Sequence, residues 1–424
     1  NYLLAFKKNI INLKKILVIT YYWPPSGGPG VQRVLKYCKY LPKYGWQPII
    51  LTVSEGDFPV LDESLKSEVK NLKIFKSKSL SLHKIFNSLI GKKNTPTFQL
   101  SSSDKDSLFI KFARWIRLNF IIPDGRVGWY PSAVREGNKI INKHKIDVIF
   151  SSAPPYTAHL IAKKLSLKNK IPWVADFRDP WTDRFYNYEN KRWYLTEKLD
   201  KYLENSVIKN ASKCITVSDQ ISKSYTKPFN VIFNGYDEDD FLNINSTKRK
   251  KVTISYLGTM TKSQSPDCFF KAISLLNKNN NHYKIDLVGN IHPDIKFFIE
   301  QKGYGNFIKV KSYIEHSKAI QAMINSQFLL LVIPNTKKNK GIVTGKLFEY
   351  IRSMTKIILI GPKDSDASKI LKETNAGESF DYLNVKGIIK YLSSNEKIVT
   401  KNFEKYSREN LTKNLVRILN DAAY

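Results

Sequence analysis

A chain of 424 residues exceeds what one ordinary hydrophobic core supports, so two domains are expected. Its 42% hydrophobic and 12% aromatic content excludes a disordered chain. A formal net charge of +32 points to anionic partners (nucleic acid, acidic lipid or phosphorylated small molecules), although lysine- and asparagine-rich usage also follows from genome composition.

In chain order, Tyr2–Leu13 carries Lys7 and Lys8 without a cleavage signature and is not read as a signal peptide. Leu13–Thr20 is a continuous apolar run, the pattern of a central parallel strand. The loop Tyr21–Gly30 follows, with Gly28 and Gly30, and then apolar residues at helical spacing from Val31 to Leu41. Strand Gln47–Val53 completes a βαβ unit. The loop matches neither the G-x-G-x-x-G fingerprint nor the G-x-x-x-x-G-K-[ST] loop, yet its glycines let backbone N–H groups approach a ligand; an empty tight turn is the alternative. Residues 54–105 read as irregular. In 106–122, Lys111, Arg114 and Arg117 form a basic stripe on an otherwise apolar helix. That pattern suits either a membrane interface or a packed helix lining a cleft.

Strands are expected at Ile146–Ser151 and Pro172–Ala175, with His159 on the helix between them. The second strand ends in D-F-R-D-P-W, Asp176 to Trp181, at the strand edge where such sheets place chemistry; an Asp–Arg pair holding the loop is the alternative. A helix over 190–211 and strands at Lys213–Val217 and Val231–Phe233 close the first half. Asn234–Phe241 reads as a hinge or helix cap rather than a metal-binding D-x-D. The second half repeats the pattern, with strands at Val252–Leu257, Tyr283–Val288, Phe307–Lys311, Phe328–Val332 and Lys356–Ile360. A closing helix is expected in Asn402–Asn420. Two α/β blocks of five or six strands each, facing across a cleft, form the expected architecture.

Between the last two strands, Gly341–Ile351 reads G-I-V-T-G-K-L-F-E-Y-I. Thr344 and Gly345 open a helix, and Lys346 and Glu349 share one of its faces. Free N–H groups at a helix start plus a lysine bind anions, and a nearby carboxylate accepts from hydroxyls; together they suggest a nucleotide-sugar. A capped helix with an exposed ion pair is the simpler alternative. The six histidines show no paired ligand spacing, and Cys38, Cys214 and Cys268 lie far apart in apolar patterns, so neither a metal nor a disulfide frame is expected.

Four stretches, Tyr21–Gly30, Ala175–Trp181, Tyr256–Lys262 and Gly341–Tyr350, resemble the GT-B glycosyltransferases of family 4, particularly bacterial surface-polysaccharide enzymes. The resemblance implies two Rossmann-like domains, 1–233 for the acceptor and 234–400 for the donor, with 401–424 as a helix closing back on the first. It implies retaining transfer from a UDP- or GDP-sugar to a hydroxyl of a glycan or lipid-linked acceptor, without cofactor or metal. The protein would be cytoplasmic, at the inner face of the membrane.

By the same resemblance Glu349 holds the ribose as the second glutamate of E-x7-E, whereas the first falls at Gly341, a departure that leaves the sugar open. Thr344, Gly345 and Lys346 meet the diphosphate, as does Lys262 after the Gly258-Thr259 turn. Gly28 and Gly30 face the leaving group, and Tyr313 and Ile314 meet the base. Arg178 and Asp179 stand where relatives place a histidine near the reacting sugar, and are the expected catalytic pair. Non-hydrolysing sugar-nucleotide 2-epimerases share the architecture and form the alternative; nucleic-acid binding is suggested by charge alone.

Overall fold

The apolar runs of the sequence become strands buried on both faces. The computed structural model describes residues 13–56, 58, 61–80, 115–183, 192–242, 244, 252–280, 282–394 and 399–423. These divide into two units: Asn1–Val217 with Ile221–Ile232 and Thr412–Tyr424, and Ser218–Gln220 with Phe233–Leu411.

The first unit is a seven-stranded sheet of β1 (Lys14–Ile19), β2 (Trp46–Val53), β3 (Lys73–Ser77), β4 (Val148–Ala153), β5 (Trp173–Phe177), β6 (Lys213–Thr216) and β7 (Asn230–Val231). Its order is β3-β2-β1-β4-β5-β6-β7, and every pairing is parallel. Helices α1 (Pro29–Tyr40), α2 (Tyr130–His144), α3 (Thr157–Asn169) and α4 (Tyr194–Asn210) connect the strands. Parallel pairing requires such crossovers, and they cover both faces of the sheet.

The second unit is a six-stranded parallel sheet of β8 (Val252–Leu257), β9 (Tyr283–Val288), β10 (Ile308–Lys311), β11 (Phe328–Val332), β12 (Lys356–Ile360) and β13 (Gly377–Phe380), in the order β10-β9-β8-β11-β12-β13. Its helices are α5 (Asp267–Asn280), α6 (Pro293–Gln301), α7 (His316–Asn325), α8 (Gly345–Arg352), α9 (Asp366–Thr374) and α10 (Val385–Ser393). Helix α11 (Arg408–Ala423) ends the described chain, and Lys14 Nζ donates to its Asn420 Oδ1 at 3.3 Å.

Three stretches differ from the sequence reading. β3 lies inside the stretch read as irregular; it is an edge strand, K-I-F-K-S, in which only Ser77 is buried, so it lacks an apolar signature. β5 runs on through Phe177, which puts Asp176 inside the sheet. The segment after Gly361, left unread, holds α9, β13 and α10. In the stretch read as a hinge or cap, the Asp237 side chain accepts from Asp239 N–H and caps a short 3-10 turn, Glu238–Phe241. The helix expected over 106–122 lies outside the described residues as far as position 114; 115–120 is helical.

Candidate functional site

Each sheet has one point where chain order reverses, and in open parallel sheets ligands bind beyond the strand ends at that point. In the second unit it falls between β8 and β11, and in the first between β1 and β4.

At the β8–β11 point the loop after β11 leads into α8. Thr344 is the N-cap residue, extended at φ −77° and ψ 149°, but its side chain makes no capping bond. Its buried Oγ1 has no hydrogen-bond partner among the described residues. Leu347 N–H donates to Thr344 O, while the N–H groups of Gly345 and Lys346 point out of the helix start with no carbonyl before them to accept.

Lys346 turns toward the end of β8. Its Nζ donates to Tyr256 Oη at 2.9 Å and stands 4.2 Å from the centre of that ring. Tyr256 Oη in turn donates to Thr259 O at 2.5 Å, fixing the turn that the lysine faces. Gly258, at φ +112°, is needed in that turn: a side chain would be strained there, and its Cβ would crowd Lys346 Nζ at 3.2 Å. Burial lowers the Lys346 pKa to about 8, against the opposing pull of Glu349. Glu349, one turn on, is raised by burial and by Asp240, while His316, Arg408 and Lys346 oppose the shift. His316 Nε2 lies 3.2 Å from Asp240 Oδ2, within hydrogen-bond distance, and both groups act on Glu349.

The turn after β8 is tied to the loop after β11. Asn335 N–H donates to Ser263 O at 2.7 Å, and Gln264 Nε2 to Val332 O at 2.9 Å. Tyr350 Oη accepts from Leu257 N–H at 3.0 Å, where the β8–β11 ladder has already parted after Ser255. These tethers hold Gly258, Thr259, Lys346 and Thr344 together. Lys262 points elsewhere, pairing with Asp294 at 2.9 Å on an exposed surface. Tyr313 and Ile314 follow β10; the tyrosine is exposed and Ile314 packs against the core beneath α8.

In the first unit Gly30 and Arg178 meet. A Cβ on Gly30 would fall 1.6 Å from Arg178 Nη1, so the guanidinium rests against bare backbone. Gly28 is the N-cap of α1. Arg178 N–H donates to Ala153 O, and its side chain reaches Asp179 only at 4.0 Å. Asp179 is held by its backbone, whose carbonyl accepts from Tyr156 Oη at 2.9 Å.

Asp176 is not part of an open site. Arg33 grips it with two bonds, Nε to Oδ2 at 3.0 Å and Nη2 to Oδ1 at 2.9 Å, and Ser152 Oγ adds a third at 2.8 Å. All three side chains are buried, so this pair clamps α1 to β5. The nearby His159 is a core residue. Burial holds its pKa down to about 3, and its Nδ1 shares a hydrogen with Ser151 Oγ at 2.8 Å.

Sequence reasoning missed Tyr256, Tyr350, Arg33, Ser152 and Tyr156. Of the three tyrosines, Tyr256 and Tyr350 read as core residues of a strand and a helix, and only a polar atom on an otherwise apolar position marks them.

A doubly wound pair of parallel sheets, with a lysine-bearing helix start at one reversal point and a glycine loop at the other, is the GT-B arrangement of nucleotide-sugar enzymes. Residues 97–240 match the family model Glycosyltransferase Family 4. No curated protein sequence matches the chain. Among solved structures, Anabaena HepE in complex with UDP and glucose is similar at 12% identity and a TM-score of 0.62, over 96% of this chain and 100% of that one. A glycosyltransferase from Rickettsia africae ESF-5 gives 14% identity and 0.58, over 97% and 99%. A putative UDP-N-acetylglucosamine 2-epimerase from Listeria monocytogenes gives 10% and 0.53, over 96% of each chain. At these identities the likeness shows the fold, and the family match, over residues 97–240, is consistent with a family 4-like glycosyltransferase.

Proposed function

We propose that this protein is a retaining glycosyltransferase. It moves a sugar from a UDP- or GDP-sugar to a hydroxyl of a glycan, lipid-linked at the cytoplasmic membrane face, in surface-polysaccharide synthesis. The observation that carries the reading is Lys346, pinned by Tyr256 beside Gly258 at the start of α8, with Glu349 on the next turn of the same face.

In the reaction the bond between the anomeric carbon and the phosphate oxygen breaks, and the nucleoside diphosphate leaves with the electron pair. The acceptor oxygen bonds to the anomeric carbon and gives up its proton to the departing phosphate oxygen. The growing charge on the departing phosphate is met by Lys346 and by the N–H groups of Gly345 and Lys346, in place of a metal. Thr344 Oγ1, buried without a partner among the described residues, has a hydrogen to donate to the same oxygens. Glu349 accepts from the ribose hydroxyls. Arg178, propped on Gly30, stabilises charge near the reacting sugar, and Asp179 stands beside it. Lys262, held by Asp294, would have to exchange that partner to reach a diphosphate, and Tyr313 and Ile314 would border the base.

The epimerase reading draws on the shared fold with the Listeria protein. It needs a histidine near the sugar, and His159 is enclosed and neutral. Incubation with a panel of UDP- and GDP-sugars, followed by sugar NMR with and without a hydroxyl acceptor, separates the readings. Transfer supports the proposal, and inversion at C2 without acceptor supports the epimerase. Failure to bind or turn over any donor rules out both.

A further inference from the structure

Helix α4 buries two carboxylates. Its buried positions are Thr196, Asp200, Glu204, Val207 and Ile208, with Leu203 packed against the same core, and two of the five are carboxylates. Both are fully engaged. Asp200 accepts from Trp181 Nε1 at 2.8 Å and pairs with Arg192 at 2.6 Å. Glu204 accepts from Thr182 Oγ1 at 2.5 Å and from Tyr225 Oη at 3.0 Å.

The outward positions are Tyr194, Leu195, Leu199 and Tyr202, exposed by 67%, 74%, 45% and 67%. Their spacing puts them along one arc of the helix. Phe120 and Trp193, exposed by 60% and 47%, extend the row. With Trp115 they form an edge-to-face trio whose ring centres lie 4.8, 5.4 and 5.8 Å apart. Backbone staples make this one surface. Arg192 Nε donates to Leu118 O at 2.9 Å, Trp193 N–H to Asn119 Oδ1 at 2.7 Å, and Thr196 Oγ1 to Asn119 O at 3.0 Å. Single exposed leucines are ordinary on protein surfaces; a contiguous row opposite buried carboxylates marks a surface meant to be covered.

We propose that this face of α4, with Trp193 and Phe120, docks the protein on a bilayer of anionic lipid. The inference deepens the membrane contact proposed above and rests on that reading for its class of partner. Tryptophan and tyrosine rings suit the headgroup level, and leucines suit the acyl boundary beneath it. Of the exposed charges in the first two turns of α4, Lys201 pairs with Glu204 at 3.0 Å, and Lys198, with Glu197 beside it in sequence, stands 4.5 Å over the Tyr194 ring. A lysine placed like Lys198 reaches up to the phosphates while its stem stays with the ring. A second copy would bring another +32 of charge against the first, so self-association is disfavoured. Nucleic acid would satisfy the lysines but leave Leu195 and Leu199 in water. No described helix is long and apolar enough to cross a bilayer, so the contact is with its surface.

The test is co-sedimentation of the full chain with vesicles of phosphatidylglycerol and phosphatidylethanolamine in equal parts, and with vesicles of phosphatidylcholine alone. The wild-type chain should sediment with the anionic vesicles and far less with the neutral ones. The double variant Leu195→Ser with Leu199→Ser should lose at least about tenfold in partition, because two exposed apolar side chains no longer enter the bilayer. Both positions are solvent-facing, and UDP-induced thermal shift, read on the same samples, reports folding and donor binding separately. A wild-type chain left in the supernatant, unchanged partition of the folded double variant, or equal capture by neutral vesicles would each overturn the proposal. So would dimers or DNA complexes that depend on Leu195 and Leu199 in place of lipid.

Discussion

Lys346 gives donor binding a pH dependence with a defined sign. Burial lowers its pKa from the ordinary lysine value to about 8. The protonated amine is the form that attracts a diphosphate, so affinity is full below that value and declines as pH rises through it. Between about pH 7 and about pH 9 the charged fraction in the free protein falls from roughly nine-tenths to one-tenth, a loss of about tenfold in affinity or 1.4 kcal/mol. The terminal phosphate of UDP does not contribute over this range, since phosphate monoesters complete their second ionisation near about 6. Stability moves the opposite way. A lysine depressed in the folded state binds fewer protons there than in the unfolded chain above pH 8, so its contribution to stability rises with pH. Falling affinity therefore cannot be ascribed to this group unfolding the site. Calorimetric titration of UDP across this range is the assay, with Lys346→Gln as the control that should be weak and flat. Affinity that stays level to pH 9 in the wild-type chain would refute the role given to Lys346.

Tyr256→Phe keeps the ring under Lys346 but removes its hydroxyl and strands Thr259 O; UDP affinity should fall by about 1 kcal/mol, and calorimetry showing no change would detach Tyr256 from the site. Gly30→Ala should push the Arg178 guanidinium off its seat and cut sugar transfer by about tenfold or more, as should Arg178→Ala, with little loss of stability; a turnover assay at unchanged rate would contradict this. Tyr350→Phe leaves the buried Leu257 N–H without its acceptor and should cost about 1–3 kcal/mol in urea denaturation, an expectation that an unshifted midpoint would remove.

The central strands were legible because both of their faces are buried. F-L-L-L-V and the I-I-L-I of Ile357–Ile360 are continuous apolar runs that suit a covered parallel strand. The edges were not. β3 and β13, K-I-F-K-S and G-E-S-F, bury one residue each, so neither period nor composition announces them. Helix α10 was hidden by Gly387 in its first turn, a residue that lowers any helix expectation. At the site, Lys346 and Glu349 could be paired from spacing alone because three residues along a helix share a face. Tyr256 could not be joined to Lys346, which lies 90 residues away, until β8 and α8 were set side by side. The same limit hid the Arg33–Asp176 clamp, 143 residues apart, and left Asp176 looking like an open carboxylate. Helix α4 shows the limit most plainly: its apolar and acidic stripes are both visible in L-D-K-Y-L-E, but the sequence does not say which one faces inward.

The donor-site assignment is tested most directly by a crystal structure of the protein soaked with UDP. The diphosphate should lie within hydrogen-bond distance of Lys346 Nζ and of the Gly345 and Lys346 N–H groups, with the ribose hydroxyls on Glu349. UDP bound away from the start of α8, or a diphosphate held without Lys346, would contradict it.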